Sequence, residues 1–166
     1  MSDASAVAVN RDALALLSRR PRTAAELREG LTRRGHPSAA IEDAMVTLEQ
    51  TGQIDDKRLA EHYVVARATR LGHGPRRLVE DLVRRGVRRE LARAAWDDAV
   101  EHGDLDPAEI VRRQIRRRIG PSRQIDRASY VRVYNALLHA GFGAGAVEAE
   151  LADLRQDRDE VGDDFA

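Results

Sequence analysis

The sequence predicts an all-α protein, built as a tandem array of three three-helix modules that is elongated and curved. Charged residues make up 34% of its 166 residues and aromatic residues only 4%, which favours helices over sheets. An internal repeat is aligned on Gly35, Gly86 and Gly141, each preceded by apolar residues eight and four positions earlier. The spacings of 51 and 55 residues between these glycines are long for two helices and predict three helices per repeat.

The repeat predicts which side chains are buried. Before the glycines these are Leu27, Leu78 and Val133, then Leu31, Leu82 and Leu137, and ten residues after them Met45, Trp96 and Leu151. The predicted organisation is a flexible N-terminus at 1–9, modules at 10–53, 54–104 and 105–155, and a flexible acidic tail at 156–166.

The first module is expected to begin with a helix over residues 10–19 that ends before Pro21. Thr23 and Glu26 have the spacing of a capping box and open the second helix, which ends at Gly35. The third helix starts at residues 37–38 and ends at Gly52. The predicted buried face of the first helix comprises Ala13, Leu14 and Leu17.

The second module opens at Asp55 and Asp56, whose carboxylates suit a helix N-terminus. Pro75 fits the first position of the next helix, which ends at Gly86; the last helix ends near Gly103. The predicted inner line of the opening helix is Leu59, Tyr63 and Ala66.

The third module opens with Asp106 as cap, Pro107 at the first helical position and Glu109 two residues later. This helix is expected to end at Gly120. The next covers roughly residues 127–140, and the apolar residues of the last are Val147, Leu151 and Leu154.

Charge is segregated along the chain. Of 28 basic and 28 acidic side chains, two arginines and eight acids lie in residues 148–166, so residues 1–147 carry a net charge of +6. Lys57 is the only lysine. Arginine offers a planar fork for phosphate or carboxylate, although GC-rich coding bias would give the same composition.

No sequence motif predicts catalysis or a metal site. There is no cysteine, the five histidines are scattered, and the glycines at 141, 143 and 145 follow no strand. No segment approaches 18 consecutive apolar residues. We therefore expect a non-enzymatic, soluble, cytoplasmic protein that binds no cofactor, metal or membrane.

The arginines are the remaining functional signal. Those at 33, 34, 84 and 85 suit helix C-termini, and Arg76 and Arg77 have acids four residues later. On the opening helix of the third module, Arg112 with Arg116 and Arg113 with Arg117 are like charges at i,i+4, with only Glu109 expected to offset them. This basic face favours an anionic partner, the alternative being a solvated surface.

Two stretches carry a resemblance to a known family. They are Ile54-Asp55-Asp56-Lys57-Arg58-Leu59-Ala60 and Gly74-Pro75-Arg76-Arg77-Leu78…Leu82…Arg85-Gly86-Val87. Together they resemble the RecX family of RecA regulators, with Leu59 where the family commonly has phenylalanine. The resemblance extends from residue 11 to about 155.

The resemblance implies three tandem three-helix modules and a monomer that binds the RecA filament on single-stranded DNA, with possible direct contact to the DNA backbone. It also implies inhibition of RecA ATPase, strand-exchange and coprotease activity, and thus control of homologous recombination and the DNA-damage response. We expect the partner-binding residues to be arginines, namely Arg112, Arg113, Arg116, Arg117, Arg76, Arg77 and Arg67.

Two alternatives remain open from the sequence. A helical DNA-binding transcription regulator would also carry short helices at turns, but no helix here combines Asn, Gln and Arg as a recognition helix does. A generic scaffold would leave RecA unaffected. Titration with duplex DNA in the absence of RecA separates the first alternative from a filament regulator.

Overall fold

The computed structural model describes residues 3–120 and 126–156, and this part of the chain contains nine helices and no strand. In chain order the helices are α1 Asp3–Leu17, α2 Ala24–Arg33, α3 Ser38–Gln50, α4 Asp56–Leu71, α5 Pro75–Arg84, α6 Arg89–Glu101, α7 Pro107–Ile119, α8 Arg127–His139 and α9 Ala144–Gln156. They form three consecutive sets of three, which confirms the predicted fold class. No helix within these residues has the length and apolarity needed to cross a membrane.

The internal repeat is present in three dimensions. Gly35, Gly86 and Gly141 adopt φ angles of +81°, +89° and +97°, the left-handed conformation that glycine adopts without a Cβ clash. All nine predicted apolar positions are buried, namely Leu27, Leu78, Val133, Leu31, Leu82, Leu137, Met45, Trp96 and Leu151.

The predicted helix starts are confirmed by their hydrogen bonds. The backbone N–H of Glu26 donates to Thr23 Oγ1 at 3.1 Å, and Thr23 N–H donates to Glu26 Oε2 at 3.2 Å, completing the capping box of α2. Asp106 caps α7 by accepting from Glu109 N–H at 3.1 Å. Asp55 accepts from Arg58 N–H at 2.9 Å and opens α4.

The predicted start of α1 was wrong, and its predicted inner face was correct only in part, since Ala13 is buried and Leu17 is partly buried against the core. The helix begins at Asp3 rather than at residue 10, so residues 3–9 belong to it. Its buried side chains are Val9, Ala13 and Leu16, whereas Leu14 is 50% exposed. Val9 precedes the predicted start of the helix and extends the buried face of Ala13 and Leu16 by one helical turn.

The predicted inner face of α4, Leu59, Tyr63 and Ala66, was also wrong. Its buried residues are the small Ala60, Val64 and Ala68, while Ala66 is exposed. Tyr63 is only half-buried. Its ring lies under the guanidinium of Arg85, 5.3 Å from the ring centroid.

The chain forms two compact units whose boundaries cut through the middle three helices. The first compact unit comprises Met1–Tyr63 and Asp81–Ala95, and the second comprises Val64–Glu80 and Trp96–Ala166. Within each unit, helices of neighbouring repeats contact one another. The predicted module boundaries themselves remain a prediction.

Each compact unit contains the same contact between the second helices of successive repeats, which we call the helix-end contact. In the first unit, Thr23 Oγ1 at the start of α2 donates to Arg85 O at the end of α5, at 2.5 Å. In the second unit, Gly74 N–H at the start of α5 donates to Ala140 O at the end of α8, at 2.7 Å. The start of one helix thus meets the end of its counterpart in the next repeat.

The repeat glycines make this close approach possible. A Cβ on Gly86 would collide with the Ala25 side chain, and one on Gly141 would lie 2.6 Å from the backbone nitrogen of Arg77. A Cβ on Gly35 would meet nothing within 4 Å. Gly35, in the first of the three repeats, therefore makes no such close approach among the described residues.

The predicted acidic tail lies almost wholly outside the described residues, which end at residue 156. The predicted burial of the Leu154 side chain also falls outside the described part of the chain.

Candidate partner-binding surface

Helix α7 presents its arginines outward because its apolar residues face the other way. Ile110, Val111 and Ile115 are buried together with Gln114. The helical period then places positions 112, 116 and 117 in solvent and leaves Arg113 half-buried.

Three carboxylates contact Arg112 or Arg116, whereas the sequence predicted only one. Glu109 accepts from Arg116 at 2.6 Å and from Arg112 at 3.2 Å. Arg112 also lies 3.3 Å from Glu150 on α9 and 3.6 Å from Asp106. Hydrogen bonds from the two arginines lower the pKa of Glu109, and its hydrogen bond raises the pKa of Arg112.

The expectation that only Glu109 offsets the charge of this helix was therefore wrong. The acid from α9 could not be assigned from sequence, because 38 residues separate it from Arg112. Arg112 and Arg116 remain exposed, but part of their charge is balanced within the second compact unit.

Arg113 is hydrogen-bonded to the end of another helix, α4. Its guanidinium donates to the carbonyl oxygens of Thr69 at 2.7 Å and Ala68 at 3.3 Å, in the last turn of α4. The neighbouring Gln114 Nε2 donates to Leu71 O at 3.2 Å. Carbonyls at a helix end lack partners within their own helix, so these two side chains cap α4.

Arg117, Arg76 and Arg77 are exposed, and none makes a side-chain hydrogen bond or ion pair within the described residues. The predicted i,i+4 pairs from Arg76 and Arg77 do not form. The carboxylate of Asp81 instead contacts Arg84. These three guanidinium groups therefore remain available to a partner.

All seven predicted partner-binding arginines lie in the second compact unit. Arg67 is exposed on α4, the helix that Arg113 caps. Arg76 and Arg77 occupy the first turn of α5, where Arg76 N–H donates to Gly141 O at 3.1 Å as part of the helix-end contact. Some of the seven side chains, such as Arg113, already hydrogen-bond within this unit. Others, such as Arg117, have no side-chain partner among the described residues.

Comparison with known proteins identifies the family of the chain. Residues 11–48 match the family description "RecX, first three-helix domain", and residues 55–95 match "RecX, second three-helix domain". The "Regulatory protein RecX" of Halorhodospira halophila is 36% identical over 164 residues, which cover 98% of each chain. The chain belongs to the RecX family.

Other RecX relatives agree in sequence and in fold. The regulatory protein RecX of Mycolicibacterium smegmatis is 33% identical over 157 residues, covering 87% of this chain and 80% of the relative. The crystal structure of RecX from Lactobacillus salivarius superposes with a TM-score of 0.82 at 20% identity, covering 93% of this chain and 99% of that one. That likeness establishes a shared fold. The RecX family is a family of regulatory proteins.

Sequence reasoning missed a polar cluster around Glu26 in the first compact unit. Glu26 was assigned only to the capping box and Arg85 only to the end of its helix. Arg85 Nε nevertheless donates to Glu26 Oε1 at 3.0 Å across 59 residues of chain. No local pattern in the sequence pairs Glu26 with Arg85, because 59 residues separate them.

No group of three or more potential metal ligands occurs among residues 3–120 and 126–156. Several acidic side chains in this part of the chain pair with basic residues or cap helix N-termini instead. Asp12, for example, accepts from His36 at 2.9 Å and lies 3.2 Å from Arg34.

Proposed function

We propose that this RecX-family chain binds the RecA filament on single-stranded DNA and inhibits RecA ATPase, strand exchange and coprotease activity. It does so by occupancy, with no catalysis of its own, and in the cytoplasm. The observation that carries the proposal is the 36% identity, over nearly the whole of both chains, to a protein named as a RecX regulatory protein.

The distribution of charge in the second compact unit supports an anionic partner. Arg76, Arg77 and Arg117 keep exposed guanidinium groups with no carboxylate partner among the described residues. Exposed cations of this kind attract an anionic surface over several ångströms and raise the association rate. Phosphate groups of the filament DNA or acidic residues of RecA have the required charge.

The engaged arginines have a second role in this proposal. Arg113 holds the end of α4 in place, and Arg112 joins α7 to α9 through Glu150. They position the exposed arginines as well as contributing charge. Arg116 and Arg67, both exposed, add to the attraction.

The proposal is tested by measuring RecA ATPase on single-stranded DNA while the purified chain is titrated. ATP turnover should fall towards a plateau as the filament is occupied. RecA turnover that stays constant over a hundredfold excess of folded chain would exclude this function and leave the scaffold alternative.

A parallel titration with duplex DNA alone tests the alternative of a transcription regulator. A filament regulator should bind duplex DNA weakly and without sequence preference, with an affinity that falls steeply as salt rises. Tight, salt-resistant binding to one duplex sequence would favour the transcription regulator instead.

A further inference from the structure

The first compact unit contains an arginine-lined cleft that the filament proposal does not use. Its cavity has a volume of about 300 Å³ and lies between the start of α2 and the end of α5. Five arginines and two glutamates line it, giving a net charge of +3. These are Arg20, Arg22, Arg33, Arg84 and Arg85, with Glu26 and Glu29.

One of the two carboxylates is fully engaged. Glu26 accepts from Arg20 at 2.8 Å, from Arg85 at 3.0 Å and from Thr23 N–H at 3.2 Å. Burial raises its pKa, but the hydrogen bonds from Arg85 and Arg20 outweigh burial and lower it to about 2. Glu26 therefore stays ionised and balances part of the charge of these two arginines.

The second carboxylate balances little of the remaining charge. Glu29 is 67% exposed, and its only ion pair within the described residues is with Arg33, at 3.8 Å. An exposed pair at that distance is weak and is screened by salt.

Three arginines of the cleft therefore keep donors for a ligand. Arg22 uses its Nε on Leu16 O at 3.1 Å and has further N–H groups on the same guanidinium. Burial, and next the charge of Arg20, lower the pKa of Arg22. Arg33 and Arg84 are exposed, and Arg84 contacts the carboxylate of Asp81, which is not part of the cleft lining.

The backbone supplies one more donor. In the first turn of α2, Ala24 N–H donates to Asp56 at 2.9 Å and Glu26 N–H donates to Thr23. The N–H of Ala25, which lines the cleft, has no acceptor among the described residues. It lies at the positive end of the α2 dipole, where anions are favoured.

We propose that this cleft binds a phosphate group, supplied either by the backbone of a nucleic acid or by free phosphate. Arg22, Arg33 and Arg84 offer guanidinium forks around the cavity, and Ala25 offers a backbone N–H. Several donors along the lining suit the several oxygens of a phosphate, and the charge surplus of +3 exceeds what one added carboxylate would balance. Glu26 already occupies the place between Arg20 and Arg85 that suits a planar carboxylate.

The test uses the full chain without RecA, so its outcome is separate from that of the filament assay. Arg33→Gln/Arg84→Gln removes two exposed forks of the cleft. Arg89→Gln/Arg93→Gln removes the same charge from exposed arginines of the first compact unit outside the cleft lining. Circular dichroism checks that both variants remain folded.

Fluorescence anisotropy of a labelled oligothymidylate measures the nucleic-acid arm. Each phosphate contact on single strands contributes about 0.7 to the slope of log affinity against log salt, so loss of two contacts should flatten the slope by about 1.4 in the cleft variant. The control variant should keep the wild-type slope. Equal flattening in both variants would overturn the proposal.

An NMR titration with inorganic phosphate and pyrophosphate measures the free-phosphate arm. The Ala25 amide and the arginine Nε–H signals of the cleft should shift in the wild type and not in the cleft variant. Saturable shifts with free phosphate alone assign that source, and an effect with the oligonucleotide alone assigns the nucleic-acid backbone. No response in either arm, or tighter binding of a glutamate peptide than of pyrophosphate at equal ionic strength, would overturn the proposal.

Discussion

Glu26 has three polar partners in the first compact unit, Arg20, Thr23 and Arg85. It completes the capping box of α2 and accepts hydrogen bonds from Arg20 and Arg85. Arg85, which donates to Glu26, also accepts from Thr23 through its backbone carbonyl in the helix-end contact. A single carboxylate thus contributes both to the start of a helix and to the packing of two repeats.

Replacement of Glu26 by glutamine should lower the free energy of unfolding by about 2 kcal/mol at pH 7, because charge-assisted hydrogen bonds are lost. The folded-state pKa of about 2 lies below the ordinary value of 4.5. The stabilisation from ionised Glu26 is therefore fully present above pH 5 and is lost as pH falls towards 2. Urea unfolding at several pH values measures both effects.

The exposed Glu29, one turn along the same helix, gives the matched control. Glu29→Gln should change stability by less than about 0.5 kcal/mol at pH 7, because the pair with Arg33 is exposed and long. If Glu26→Gln keeps the wild-type loss of stability between pH 5 and pH 2, Glu26 does not act as described.

Arginines of similar predicted role differ in what they contact. Charge reversal at Arg76, Arg77 and Arg117 should weaken binding to the RecA filament by about tenfold at low salt and flatten the salt dependence, with unfolding unchanged. Cosedimentation with filaments over a range of salt concentrations measures this. The same reversal at the exposed Arg88, Arg89 and Arg93 serves as the control, and an equal loss there would show a general charge effect.

Arg113 should behave differently from Arg117, four residues later on α7. Arg113→Ala removes its hydrogen bonds to the carbonyls of Ala68 and Thr69 at the end of α4 and should lower the free energy of unfolding by about 1–2 kcal/mol. Arg117→Ala should leave unfolding within about 0.5 kcal/mol of wild type. Thermal unfolding of both variants checks the distinction, which fails if they are equally stable.

At the scale of helices, substitution of the repeat glycines separates two destabilising effects of an added Cβ. One is the strain of a positive φ angle, and the other is collision with a neighbouring helix. Gly35→Ala places a Cβ at positive φ with no neighbour and should cost about 1 kcal/mol. Gly86→Ala and Gly141→Ala add collisions with Ala25 and with the backbone of Arg77, and should each cost about 3 kcal/mol or more. Chemical unfolding of the three variants tests this order. Equal losses would contradict the role given to the helix-end contact.

Local signals carried most of the fold prediction. The cap at Thr23 and the stop at Gly86 were predicted correctly, because a cap and a left-handed glycine depend on a few adjacent residues. The face of α4 was missed, because the prediction favoured the large Tyr63 over the small, buried Ala60 and Ala68. Close packing of helices is made by small residues, and their partners are distant in sequence.

The candidate sites were less predictable than the fold. Sequence reasoning found the arginines of α7, but it could not show that Arg113 is committed to α4 or that Glu150 reaches Arg112. The cleft around Glu26 depends on contacts across 59 residues, for which no local pattern exists. Side-chain charge can be read from a sequence, whereas the partner that balances it depends on tertiary structure.

For the whole molecule, one contact recurs in both compact units. The start of α2 meets the end of α5 in the first unit, and the start of α5 meets the end of α8 in the second. Tandem repeats stabilised by nearest-neighbour contacts expose surface on every repeat, which suits binding to a partner that is itself repetitive. A RecA filament is such a partner.

The most direct test is cosedimentation of the chain with RecA filaments assembled on single-stranded DNA with a non-hydrolysable ATP analogue. The chain should enter the pellet in a saturable way, at concentrations that leave it in the supernatant with the DNA alone. A folded chain that stays in the supernatant with filaments, or that pellets equally with the bare DNA, would contradict its assignment as a regulator that acts by binding the filament.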